Sequence, residues 1–183
     1  MARINLEAAA ADCIADAIYG METLDLQEIR DNAEEQASSA ADSVCIYYSN
    51  CMDIISEYER EAPDAEDMTS GQTYEAADWQ QAMCAYAYAV AYTVISRNVH
   101  DLLEEIEQAA DDLRDAAEAH GLEDPAEPRI SRDCPHGWAP HDREDAAGTC
   151  FWTEGKLEGC RAVARKVAGV WLSYTWTPEE GGE

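Results

Sequence analysis

The sequence predicts a mainly α protein: an acidic helical domain ending in a long helix, plus a small α+β appendage rich in Cys, His and Trp. Three observations carry that expectation. Apolar residues recur at three- and four-residue spacing through the first 120 positions. No Gly or Pro interrupts residues 74–119. The texture then changes: four of the five Trp and three of the seven Cys lie after residue 130, and the first Lys is Lys156.

The elements follow in order. Leu6, Ala10, Cys13, Ile14 and Ala17 mark an amphipathic helix over 4–19, stopped near Gly20. Asp25 reads as an N-cap with Glu28 three residues on, the capping-box spacing, and opens a second helix over about 25–37. Ser38-Ser39 breaks or bends it. Val44, Tyr47, Cys51, Ile54, Ile55 and Tyr58 continue a helical stripe to about residue 60. EAPDAEDMTSGQT (61–73) is an acidic loop. One long helix follows from 74 to about 119, ending at His120-Gly121. AYAYAVAYTV (85–94) alternates like a strand, but its Ala content and helical flanks favour helix. The domain so defined spans 1–121. LEDPAEP (122–128) is a linker, and 129–183 forms the appendage. There FWT (151–153) suggests a short strand, KLEGCRAVARKV (156–167) a helix, and VWLSYTWT (170–177) a half-buried strand with Ser173, Thr175 and Thr177 outward.

The charge is the dominant feature. The chain has 183 residues and a formal net charge of −27. Residues 1–120 hold 27 acids against five basic residues, and residues 121–183 hold 12 against seven. Periodic apolar residues among the acids exclude a disordered acidic tail. No apolar run reaches the roughly 18 residues of a membrane span, and no secretory leader is visible. Seven Cys without framework spacing suit reduced thiols in a cytoplasm.

Residues 99–118, VHDLLEEIEQAADDLRDAAE, concentrate eight carboxylates with one Arg. Val99, Leu102, Leu103, Ile106, Ala110, Leu113 and Ala117 form a core face. Asp101, Glu104, Asp111, Asp115 and Glu118 form a second stripe, widened by Glu105 and Asp112. Twenty helical residues rise about 30 Å, so the net charge amounts to about one per 4 Å, against about one per 3.4 Å on a DNA strand. Two plainer readings compete: a merely solvated face, and salt adaptation. Most solvated faces mix both signs, and this one nearly lacks cations. Lys156, Arg161, Arg165 and Lys166 weaken uniform salt adaptation. A basic face near Arg161, Arg165 and Lys166 also suits pairing with the acidic N-terminal region or contact with another partner.

Asp25-Leu26 with Ile29, an acid-rich helix, Tyr47-Tyr48, Asp53-Ile54 and Ser56, an acidic loop, and a long helix carrying LLEEIE follow one another along the chain. In that order they resemble the Ocr antirestriction family of phages. The resemblance covers about residues 15–110. It implies an elongated, all-helical homodimer whose acidic surface imitates bent duplex DNA. Such proteins occupy the DNA-binding groove of type I restriction–modification enzymes and related defence systems in the host cytoplasm, without binding nucleic acid themselves. Carried over by position, the phosphate-mimicking residues are Asp25, Glu28, Asp31, Glu34 and Glu35, then Asp53, Glu57 and Glu59, then Asp101, Glu104, Glu105, Asp111, Asp112, Asp115 and Glu118. Tyr47, Ile54, Tyr86, Val90 and Tyr92 are candidates for a dimer contact, though core packing is the better fit for most of them.

The family pattern does not extend to 129–183. There Cys134, His136, His141 and Cys150 are the ligand types of a structural zinc site, with Cys160 as a substitute. The spacing is not that of a zinc finger. The alternative is a loop-rich module held by Trp138, Trp152, Trp171 and Trp176, with thiols as small buried hydrophobes. No phosphate loop, G-x-S-x-G or H-E-x-x-H is present, and a Cys134–His136 nucleophile pair rests on sequence proximity alone. The sequence therefore points away from an enzyme and needs no cofactor besides that candidate zinc. The main rival to a decoy is an acidic binding or chaperone-like module for a basic, nucleic-acid-associated protein.

Overall fold

The computed structural model describes residues 4–66, 78–133, 143–144, 149–152 and 161–177. The protein is mainly α with a small antiparallel sheet. The described helices are α1 (Leu6–Ala17), α2 (Leu26–Val44), α3 (Tyr48–Tyr58) with a 3₁₀ turn at Glu59–Glu61, and α4 (Trp79–Ala119). The strands are β1 (Arg129–Ser131), β2 (Arg143–Glu144), β3 (Thr149–Trp152), β4 (Arg161–Val167) and β5 (Val170–Trp176). Two compact units divide the chain: residues 1–17 with 29–101, and residues 18–28 with 102–183.

In the first unit, Asn5 caps α1, its Oδ1 accepting from the Ala8 N–H at 3.0 Å. The helix buries Leu6, Ala10, Cys13, Ile14 and Ala17. From Ile29 onward, α2 buries Ile29, Ala33, Ala37 and Ala41. Alanine at every fourth position leaves a narrow ridge that lets a neighbouring helix approach closely. The Ser38 and Tyr88 hydroxyls share a 3.1 Å hydrogen bond between α2 and α4, and the Tyr58 hydroxyl donates to the Ile4 carbonyl at 3.1 Å. Ile54, Val90 and Ile95 are fully buried. Each such aliphatic side chain contributes about 1.5–3 kcal/mol through burial.

Two expectations change here. The second helix does not end at 37: Ser38-Ser39 lies within it, and Ser43 Oγ bonds back to the Ser39 carbonyl at 2.9 Å. Nor does one stripe run unbroken to residue 60. The chain leaves helix at Cys45–Tyr47, where Tyr47 adopts an extended backbone as the N-cap of α3 and is 68% exposed. The alternating 85–94 segment is helical throughout, as its Ala content favours.

In the second unit, Asp25 caps α2 as expected, its Oδ1 accepting from the Gln27 and Glu28 N–H groups, both at 3.0 Å. The end of α4 is closed by a Schellman arrangement. Gly121 takes φ +91°, the Leu122 N–H reaches the Ala117 carbonyl at 3.0 Å, and the Gly121 N–H reaches Glu118 at 2.9 Å. Residues 122–128 belong to this unit. The Pro128 carbonyl accepts from Leu24 at 2.8 Å, and that of Ala126 accepts from the Tyr174 hydroxyl at 2.9 Å.

The sheet order is β1-β5-β4-β3-β2, antiparallel throughout. The strand expected at 170–177 is β5, and β3 holds Phe151 and Trp152 of FWT. The helix expected at 156–167 is overturned: 161–167 is strand, and 156–160 lies outside the described residues. Ala, Arg and Lys are good helix formers, but seven register pairs with β5 override that local preference. The hairpin turns through Ala168-Gly169, both at positive φ (+49° and +81°), which suits the strand twist. Ser173, in register with Arg129 of β1 and Ala164 of β4, is buried rather than outward.

Candidate anionic surface

Helix periodicity places the carboxylates. On α2, Asp31, Glu34 and Glu35 stand at i, i+3 and i+4, exposed, opposite the buried Ile29, Ala33 and Ala37. Asp25 and Glu28 are exposed at the helix start, where the macrodipole favours anions. On α3, Asp53 is exposed and Glu57, one turn later, is half-buried. Glu59 is exposed in the 3₁₀ turn and accepts from the Tyr86 hydroxyl at 3.1 Å. Burial, then this carboxylate, raises the Tyr86 pKa above its ordinary value.

On α4, Asp101, Glu104, Glu105, Asp111, Asp112, Asp115 and Glu118 are all exposed. At 3.6 residues per turn, the six between 104 and 118 fall within an arc of about 140°. The buried Leu103, Ile106, Leu113 and Ala117 occupy the other side. Glu107, also exposed, borders that arc next to Glu118 and belongs to the surface, although the stripe spacing leaves it out.

The stripe is not uniformly bare. Arg165 of β4 reaches Asp112, Nη1 to Oδ2 at 2.6 Å, and Gln108 Nε2 donates to the same carboxylate at 3.0 Å. These bonds, Gln108 first and then Arg165, hold Asp112 below the usual carboxylate range. Arg114 pairs with Asp111 at 3.0 Å and with Glu127 at 3.7 Å. The Tyr174 hydroxyl, then those carboxylates, raise the Arg114 pKa still further. Two central carboxylates thus carry counter-charges from their own chain. Comparison with protein-family models, with curated proteins and with solved structures finds no match.

The other candidate residues distribute as follows. Ile54 and Val90 are core and offer nothing to a second chain, Tyr86 and Tyr92 are half-buried, and Tyr47 is exposed. Ile46, Met52 and Trp79 are exposed as well, and Tyr48 meets Trp79 at a ring separation of 6.2 Å. Cys134, His136, His141 and Cys160 lie outside the described residues, and the Cys150 backbone lies in β3 opposite Glu144 and Ala164. Among the described residues, no group of three His, Cys, Asp or Glu is placed to hold a metal ion. None of the described helices is long and apolar enough to cross a membrane.

Proposed function

We propose that this protein is a decoy of duplex DNA. It occupies the DNA-binding groove of a host defence enzyme, of the type I restriction–modification class or similar, in the host cytoplasm. The observation that carries this reading is the exposed carboxylate arc of α4, set opposite a buried aliphatic face on one regular helix. A groove built to neutralise phosphates presents Lys and Arg at phosphate spacing, and fixed carboxylates meet the same cations. Such a groove needs no base reading to be filled, because phosphate contacts dominate non-specific affinity.

The decoy acts without chemistry, cofactor or nucleic acid of its own. It works as a homodimer, which doubles the anionic surface. The test is competition: the protein displaces labelled duplex DNA from a type I restriction enzyme in dilute buffer, and loses this ability as salt rises. Failure to displace DNA at any ionic strength overturns the reading.

A second reading is an acidic binding module for a basic, nucleic-acid-associated protein. The exposed Ile46, Tyr47 and Trp79 favour it, since imitation of a phosphate backbone has no use for apolar side chains. Unchanged binding of such a partner in the presence of excess DNA would select this reading over the decoy.

A further inference from the structure

In the first unit three thiols meet between α3 and α4. Cys51 Sγ lies 3.2 Å from Cys84 Sγ and 3.4 Å from the Cys45 carbonyl oxygen. Cys51 is fully buried, whereas Cys84 and Cys45 are half-buried. Cys13, the remaining described cysteine of this unit, is buried on α1. A sulfur pair in van der Waals contact needs a shift of just over 1 Å to reach the disulfide bond length of about 2.05 Å. We propose that Cys51 and Cys84 are an oxidation site, converted to a disulfide by exchange with an oxidised low-molecular-weight thiol.

The chemistry balances in two exchanges. Cys84, the more accessible of the pair, loses its proton to water, and its thiolate attacks one sulfur of the small disulfide RSSR. The S–S bond breaks, RS⁻ leaves and takes up a proton, and a mixed disulfide stands on Cys84. Cys51 then loses its proton, and its thiolate attacks the Cys84 sulfur, expelling the second RS⁻. The two protein thiols are oxidised by two electrons and RSSR is reduced to two RSH. The product ties α3 to α4 between positions 33 residues apart in sequence, which shrinks the unfolded ensemble and raises the melting temperature.

The surroundings set the rate. Burial pushes the Cys51 thiol up to about 12 and the Cys45 thiol to about 11. Attack by Cys51 therefore draws on a rare thiolate, and closure quickens as pH rises. The site stays reduced in a reducing cytoplasm and closes when small disulfides accumulate.

The test treats the full chain with millimolar glutathione disulfide at pH 8 and maps peptides without reduction. The expected result is a Cys51–Cys84 crosslinked peptide in the parent and in Cys45→Ser, with a higher melting temperature that reductant reverses. Cys84→Ser forms no crosslink to Cys51. A glutathione adduct on Cys84 with Cys51 left free, a Cys45–Cys84 or Cys45–Cys51 crosslink instead, or no reaction overturns the assignment. This outcome is independent of competition with DNA.

Discussion

Arg165 on β4 and Asp112 on α4, 53 residues apart in sequence, form a close charge contact, Nη1 to Oδ2 at 2.6 Å. One cation of the small sheet is thereby held on the acidic helix of its own unit. Within the decoy reading, a partner groove finds Asp112 already engaged and reads mainly the carboxylates around it.

The pair also gives a pH signature. Asp112 is held below the usual carboxylate range, so the folded state resists its protonation. Its stabilisation is complete above the unfolded carboxylate value, about 3.9, and is lost as pH falls through the lower folded value. Arg165→Ala is expected to melt below the parent at pH 7, with the difference shrinking below about pH 4. Melting curves across that range check this, and the Asp112 carbon resonance should titrate at higher pH in the variant.

The β4–β5 turn carries strain that a substitution can relieve. Ala168 stands at φ +49°, where its Cβ crowds the backbone, while Gly169 at +81° pays nothing. Ala168→Gly is expected to stabilise the protein by about 1 kcal/mol. Gly169→Val, although open space surrounds the position, is expected to cost about 1–2 kcal/mol from backbone conformation alone. Urea unfolding of both variants measures the pair.

Ser96 offers a test of core polarity. Its hydroxyl is buried on α4 and has no hydrogen-bond partner, whereas Thr93 nearby bonds back to the Ala89 carbonyl at 2.8 Å. An unsatisfied buried hydroxyl costs about 1–3 kcal/mol, so Ser96→Ala is expected to stabilise by about 1 kcal/mol. Ile95→Ala, at a fully buried neighbour, is expected to cost about 2–5 kcal/mol. Opposite signs at adjacent positions would be visible in thermal melts.

Local signals carried much of the architecture in readable form. Asp25 as a cap, Gly20 after α1 and Gly121 after α4 act within a turn of their own position, and each is where the sequence places it. The break at Cys45–Tyr47 has no Gly or Pro, and the apolar spacing of Val44, Tyr47 and Cys51 matches a continuing helix. Strand β4 is mostly Ala, Arg and Lys, which favour helix, and its conformation is decided by a partner strand. The exposure of the acidic faces was legible from period alone. The counter-charge on Asp112 was not, because sequence composition does not tell which of the C-terminal cations reaches the helix.

The carboxylates should act collectively in the proposed decoy. Neutralising one of Glu104, Glu105, Asp115 or Glu118 is expected to change competition with DNA less than about threefold, since an exposed charge contributes little alone. Neutralising all four is expected to weaken it by at least about tenfold and to flatten its salt dependence. Circular dichroism should show α4 intact, because the substitutions relieve repulsion on its exposed face.

The most direct measurement of the central claim is the inhibition constant against duplex DNA on a type I restriction–modification enzyme, taken from dilute buffer to half-molar salt. Strict competition is expected, with an inhibition constant that rises steeply with salt and inhibition that saturates when the DNA groove is full. Inhibition that excess DNA does not relieve, or no inhibition even in dilute buffer, contradicts it.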